Sequence, residues 1–247
     1  MKFAPYVCCG DPSLSFSFKL VKTLAPYSEF IEIGIPFSDP IADGKTIQAA
    51  STRALKNGVN VEKIFSMVEK LRAEGVKTPF SFMTYYNIVF SYGNKRFLQK
   101  MRAVGVHGLI LPDLPLGEDL EFEKMAGENN IALIHLIAPN TPTARVKKIL
   151  REENMFTYLV SVTGITGSRS NVSSSSIDFV KRVCAMAGGK NKLLVGFGVS
   201  SAQQAEEFVR AGASGVFVGS KIIELYNGRD EKTALADVKA FAQSFRE

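Results

Sequence analysis

Apolar residues along this chain fall into short continuous runs, separated by longer stretches in which they recur at every third or fourth position. The runs cover residues 3–9, 30–35, 79–84, 108–111, 131–137, 156–160, 193–196 and 215–218. Rich in β-branched residues and bounded by Gly and Pro, such runs read as buried strands. The stretches between them carry the 3.6-residue period of amphipathic helices, as Ile64, Met67, Val68 and Leu71 do within 61–74. Further helices are predicted over 15–24, 45–55, 97–104, 118–129, 143–151, 177–187, 202–211, 221–225 and 231–245.

Eight strands alternating with helices, with no linker between them, require right-handed crossovers and a parallel sheet. That count in about 250 residues matches the α/β class (β/α)8 TIM barrel, as a single domain over 1–247. An open doubly wound sheet is the competing arrangement. No GxGxxG opens the first unit, and the number of repeats suits closure.

The chemistry concentrates in FIEIGIPFSDPIADG, residues 30–44. Glu32 interrupts an apolar strand, and an ionised glutamate is rarely buried without a partner. Alone, it reads equally as one end of a structural hydrogen-bond network. Asp43, on the loop leaving the same strand, changes the balance: two carboxylates converging on one mouth suit acid–base work. Chemistry in this fold sits at the C-terminal strand ends. Those ends also carry Asp39, Tyr85, Asn87, Asp113 and Tyr158. Tyr6, Met83, Ile110 and Phe197 are candidates for an apolar slot around a flat ring, although core packing is the commoner fate of each. If buried, Tyr85 and Tyr158 need hydroxyl partners, Glu32 being one candidate.

Gly198, Gly219 and Ser220 follow the last two strands and precede a short predicted helix over 221–225. Phosphate sites in these barrels are built there, from backbone N–H groups and a helix N-terminus. Gly164 and Gly167, after the sixth strand, suit a lid. Each glycine alone reads as a plain turn, and 168–176 also reads as a Ser-rich surface loop.

Composition narrows the class further. The net charge of +6 is spread among acids, which argues against a nucleic-acid footprint and suits a phosphorylated small substrate. Adjacent Cys8 and Cys9 point to opposite faces of a strand, and His107 and His135 lie far apart, so neither a disulfide framework nor a zinc site is expected. No signal peptide or run of the ~18 apolar residues needed for a membrane span is evident, which predicts a cytoplasmic protein.

Over essentially its whole length the chain resembles the tryptophan synthase alpha subunit family. The resemblance rests on Gly10-Asp11-Pro12, the PFSDPIADG loop after the Glu32 strand, Tyr85-Tyr86-Asn87, Asp113-Leu114-Pro115 and Ala138-Pro139-Asn140. It continues in Gly164-Ile165-Thr166-Gly167, Gly196-Phe197-Gly198 and Gly219-Ser220. PFSDPxADG is the specific part; the glycine pairs alone are weak. Val162 stands where some relatives have arginine, and Cys8 where threonine is commoner.

The resemblance implies retro-aldol cleavage of indole-3-glycerol phosphate to indole and glyceraldehyde 3-phosphate. Glu32 would be the general acid–base, Asp43 would stabilise the indoleninium at the indole N–H, and Thr166 would meet Asp43 on loop closure. Tyr158 would contact substrate, and Gly167, Gly198, Gly219 and Ser220 would hold the phosphate. It implies no cofactor in this chain, with pyridoxal phosphate only in a partner beta subunit of an α2β2 complex. Contacts to that partner are expected around 39–46 and 161–175. A free-standing indole-releasing lyase, an isomerase of a phosphorylated sugar–amine and a subunit acting mainly as an activator are the alternatives.

Overall fold

The computed structural model describes residues 2–152, 155–160, 172–196 and 198–246. Its first strand, β1 (Lys2–Cys8), lies at the centre of a parallel sheet. On one side follow β2 (Ile31–Gly34), β3 (Phe80–Met83), β4 (Gly108–Ile110) and β5 (Ala132–Ile134). On the other follow β9 (Gly215–Val218), β8 (Leu193–Gly196), β7 (Thr157–Val160) and β6 (Leu136–Ile137).

The single fifth strand expected over 131–137 is two half-strands, β5 and β6, broken at His135. The first half pairs with β4 and the second with β7. The backbone shows the switch: the Ala132 N–H donates to the His107 carbonyl, and the His135 carbonyl accepts from Tyr158. This stave therefore closes the barrel, and eight staves give nine strand segments among the described residues.

Helices return the chain between strands: α1 (Leu14–Leu24), α2 (Lys45–Lys56), α3 (Val61–Ala73), α4 (Tyr86–Tyr92), α5 (Asn94–Ala103) and α6 (Leu120–Glu128). They continue with α7 (Thr143–Ile149), α8 (Ser174–Ala187), α9 (Ala202–Arg210), α10 (Ser220–Tyr226) and α11 (Glu231–Gln243). Side chains of Ser13, Asn60, Asp119, Ser173, Ser201 and Asp230 accept N–H bonds at the starts of α1, α3, α6, α8, α9 and α11. Helix α4 was not legible in the sequence. Its first N–H, from Tyr86, is capped by both oxygens of Asp113, 2.9 and 3.0 Å away and beyond the next strand.

Strand alternation divides the residues between two layers. Outward Phe82 packs on Phe65 and Phe97 of α3 and α5. Inward Phe30, Phe156 and Phe217 fill the barrel; Phe30 and Phe156 stack 4.5 Å apart, and Phe217 stacks on Tyr158 at 4.3 Å. Ala4, Ile110, Ile134 and Leu194 complete this interior cluster. Phe217→Ala removes one wall of it, and we expect a loss of about 3–5 kcal/mol. A urea midpoint indistinguishable from wild type would contradict this account of the core.

Candidate active site

Glu32 points inward because it alternates with outward Ile31 and Ile33 on β2, in register with Tyr6 of β1 and Ser81 of β3. It is 1% exposed, and its Oε2 has no hydrogen-bond partner among the described residues. Burial pushes its pKa from an ordinary 4.5 up to about 8, and the nearby charge of Asp43 pushes the same way. At neutral pH this burial favours the protonated form of the group.

Asp43 is buried on the loop between β2 and α2. The Tyr85 hydroxyl donates to its Oδ2 at 3.1 Å and accepts the Ala42 N–H at 2.9 Å. Gln48, in the first turn of α2, donates to the Asp43 carbonyl at 2.7 Å. Burial raises the Asp43 pKa, and the Tyr85 hydrogen bond opposes that rise. The Tyr85 phenol is itself held protonated by burial and by the Asp43 charge, so it remains a donor. Glu32 was one candidate partner for the Tyr85 hydroxyl; the carboxylate it binds is Asp43.

Tyr6 and Tyr158 form the rest of the mouth, and each lies over a glycine. A Cβ built on Gly34 would sit 2.2 Å from the Tyr6 hydroxyl, and one on Gly196 would sit 2.1 Å from that of Tyr158. Both phenols are pushed well up, first by burial and then by neighbouring charges that include Glu32 and Asp43. Glu32, Asp43, Tyr6 and Tyr158 thus share one electrostatic environment. Met83 is half-buried, whereas Ile110 is fully buried in the interior cluster against which Met83 packs.

At the other rim, Gly198 has φ +88°, a conformation that favours glycine. Gly219 is the N-cap of α10 and supplies no side-chain cap, while Ser220 is its first residue; both are partly exposed. Thr166, Gly167 and Phe197, with Gly164, lie outside the described residues. Three further polar candidates do other work. Asp39 is exposed and bonds Ser38, Asn87 is exposed, and Asp113 caps α4. No cluster of His, Cys, Asp and Glu capable of holding a metal is found among the described residues.

The family model described as tryptophan synthase alpha chain matches residues 1–247. The chain belongs to the tryptophan synthase alpha chain family. It is 42% identical to the alpha chain of Methanococcus maripaludis over 98% of this chain and 93% of that one. Identity to the alpha chain of Thermococcus kodakarensis is also 42%, over 90% and 87% of the two chains. The solved alpha subunit of Pyrococcus furiosus superposes with a TM-score of 0.91 at 36% identity, covering 99% of this chain and 97% of its own. The alpha chain in a structure of the Pyrococcus furiosus tryptophan synthase α2β2 complex matches at a TM-score of 0.89. As a member of the tryptophan synthase alpha family, the chain is a carbon–carbon lyase of tryptophan biosynthesis. It cleaves indole-3-glycerol phosphate to indole and glyceraldehyde 3-phosphate.

Two groups of the chain gave no signal in the sequence. Ser51 of α2 lies 3.8 Å from Cys8, whose thiol burial raises to about 12 and keeps protonated. Arg53 and Tyr226 converge on Asp11 from 42 and 215 positions away, a spacing that gives no sequence signal.

An acid whose pKa rises on folding stabilises the fold fully below its unfolded value near 4.5, and that contribution is lost as pH climbs to about 8. Glu32→Gln removes the dependence. Its stability relative to wild type is expected to be level below pH 4.5 and to improve steadily up to pH 8. Asp43→Asn removes a like charge and lowers the Glu32 pKa, which carboxyl infrared spectroscopy reads directly. A pH-independent stability difference between wild type and Glu32→Gln would overturn the buried-acid assignment.

Proposed function

We propose that Glu32 is the acid–base group of the lyase reaction and that Asp43 is its electrostatic partner. Protonated Glu32 delivers its proton to C3 of the indole ring, and the positive charge that appears on the ring nitrogen faces the Asp43 carboxylate. Glu32, now ionised, takes the proton of the glycerol hydroxyl next to the ring. As the O–H pair becomes the aldehyde C=O, the bond between C3 and the glycerol carbon breaks. Its electrons restore the C2=C3 bond of indole. Glu32 ends as it began. The observation that carries this division is the burial of Glu32 beside Asp43, with a raised pKa of about 8.

Tyr6, Met83, Ile110, Tyr158 and Phe197 surround the ring in this reading, and Tyr85 holds Asp43. Thr166 approaches Asp43, while Gly167, Gly198, Gly219 and Ser220 receive the phosphate on backbone N–H groups. The chain acts as one domain over 1–247 and uses no cofactor of its own; pyridoxal phosphate belongs to the partner. We place it in the cytoplasm, a reading compatible with the absence of any membrane-length apolar helix among the described residues.

The partner we propose is a tryptophan synthase beta subunit in an α2β2 complex. Support comes from three large apolar side chains left exposed at successive strand ends: Ile41 (81%), Phe90 (66%) and Leu120 (70%). Ile41 lies on the loop after β2, Phe90 in α4 after β3 and Leu120 at the start of α6 after β4. Large apolar side chains that folding leaves in solvent are available to pack against a partner.

Indole release from indole-3-glycerol phosphate, with and without a beta subunit, tests both parts. Glu32→Gln and Asp43→Asn are each expected to reduce release by about 10²–10⁴-fold. Near-wild-type turnover in either variant would exclude the role given to it. Phe90→Asp should leave the isolated chain's rate unchanged and reduce its stimulation by the partner. Equal stimulation of wild type and Phe90→Asp would remove this surface from the interface.

A further inference from the structure

Among the described residues Asp11 is the most completely buried acid outside the mechanism, at 0% exposure, and it sits in the turn between β1 and α1. Arg53 grips it as a fork, Nε to Oδ1 at 2.7 Å and Nη2 to Oδ2 at 2.8 Å. The Tyr226 hydroxyl donates to the same Oδ2 at 2.8 Å. Charge-assisted, two-pronged bonds of this kind fix orientation as well as distance. The turn is fastened elsewhere too: Asn57 donates to the Pro12 carbonyl at 2.6 Å, and the Gly10 N–H donates to Ser17 at 2.9 Å.

The elements that meet at Asp11 lead to opposite ends of the site. Arg53 lies on α2, whose first residue, Lys45, follows Asp43 by one intervening position. Tyr226 is the last residue of α10, whose first turn carries Ser220 after Gly219. The two helices pack on each other and on β1. A helix is a stiff rod of about 1.5 Å per residue, so pinning one end of each constrains where the other ends can lie.

We infer that Asp11, through Arg53 and Tyr226, is a positioning residue that sets the span between the carboxylate loop and the phosphate-binding rim. The inference rests on the proposed assignment of Gly219 and Ser220 to the phosphate. It concerns no reacting atom. A substrate with its ring and phosphate covalently joined must satisfy both ends at once, whereas the two products, as separate molecules, need not. The linked molecule gains from simultaneous binding only while the ends keep the right separation.

The test compares the linked substrate with its parts in Tyr226→Phe and Asp11→Asn, using the chain in complex with its beta subunit. Calorimetry gives the dissociation constants of indole and of glyceraldehyde 3-phosphate, each alone; steady-state kinetics give KM and kcat for indole-3-glycerol phosphate. The expected result is a KM raised at least about fivefold in Tyr226→Phe, the loss of one hydrogen bond's worth of geometry, and more in Asp11→Asn. Both product affinities should stay within twofold of wild type. The double variant should match Asp11→Asn, because both side chains act through one carboxylate.

An unchanged KM in Tyr226→Phe, or product affinities falling by the same factor as KM rises, overturns the inference. Tyr226→Phe retains the Arg53–Asp11 pair, so it decides the matter even if Asp11→Asn does not fold. Failure of the phosphate assignment is seen separately: Ser220→Glu and Gly219→Asp would then leave glyceraldehyde 3-phosphate binding intact in an otherwise wild-type chain.

Discussion

A carboxyl group enclosed in a barrel of hydrocarbon and aromatic rings cannot remain ionised cheaply, and much of this structure follows from that. Glu32 occupies such a place, with the packed rings of Phe30, Phe156 and Phe217 filling the interior. Desolvation disfavours its charge, and a second carboxylate within electrostatic reach disfavours it further. The two acids are not equivalent, however. Asp43 accepts the Tyr85 hydroxyl, and that bond favours its ionised form; Glu32 Oε2 has no comparable donor among the described residues. The proton therefore resides on Glu32 and the charge on Asp43, an asymmetry set by a tyrosine on the neighbouring stave.

The alternation of strand and helix was written plainly in the sequence, because burial of both strand faces gives continuous apolar runs while burial of one helix stripe gives a 3.6-residue period. Glu32 was legible for the complementary reason: an acid breaking an apolar run violates the pattern. What could not be read depends on contacts between distant positions. Helix α4 begins where Asp113 reaches back to the Tyr86 N–H, and no local signal announces a cap supplied by the following stave. The fifth strand was one apolar run, yet its halves bond to different neighbours, because sheet closure assigns partners and hydropathy does not. Asp39, Asn87 and Asp113 shared polarity and a strand-end position with Asp43, and only the folded chain separates them. The roles of Thr166, Gly167 and Phe197 lie outside the described residues.

Two arginines show how differently the ends of this barrel are held. At the mouth, Arg53 is committed to the carboxylate of Asp11. At the opposite end, Arg72 donates to the carbonyls of Val76, Thr78 and Gly105 and lies 3.9 Å over the Phe80 ring. Its half-buried guanidinium, lowered in pKa by burial, knits together the turns that enter β3 and β4. Barrels of this class separate stability at the base from chemistry at the top. Here one residue type serves both, with neutral carbonyls as its partners below and a buried acid above.

The tyrosines laid over Gly34 and Gly196 bear on how such a mouth can change over time. Each hydroxyl occupies the volume that any larger residue at the glycine would need. A Cβ at 34 is compatible with the present backbone only if residue 6 becomes smaller or moves, and 196 stands in the same relation to 158. These four positions therefore form two joint sites, and a lineage can alter either by compensated exchange more readily than by single steps. The outline of the cavity is inherited as matched pairs drawn from separate staves.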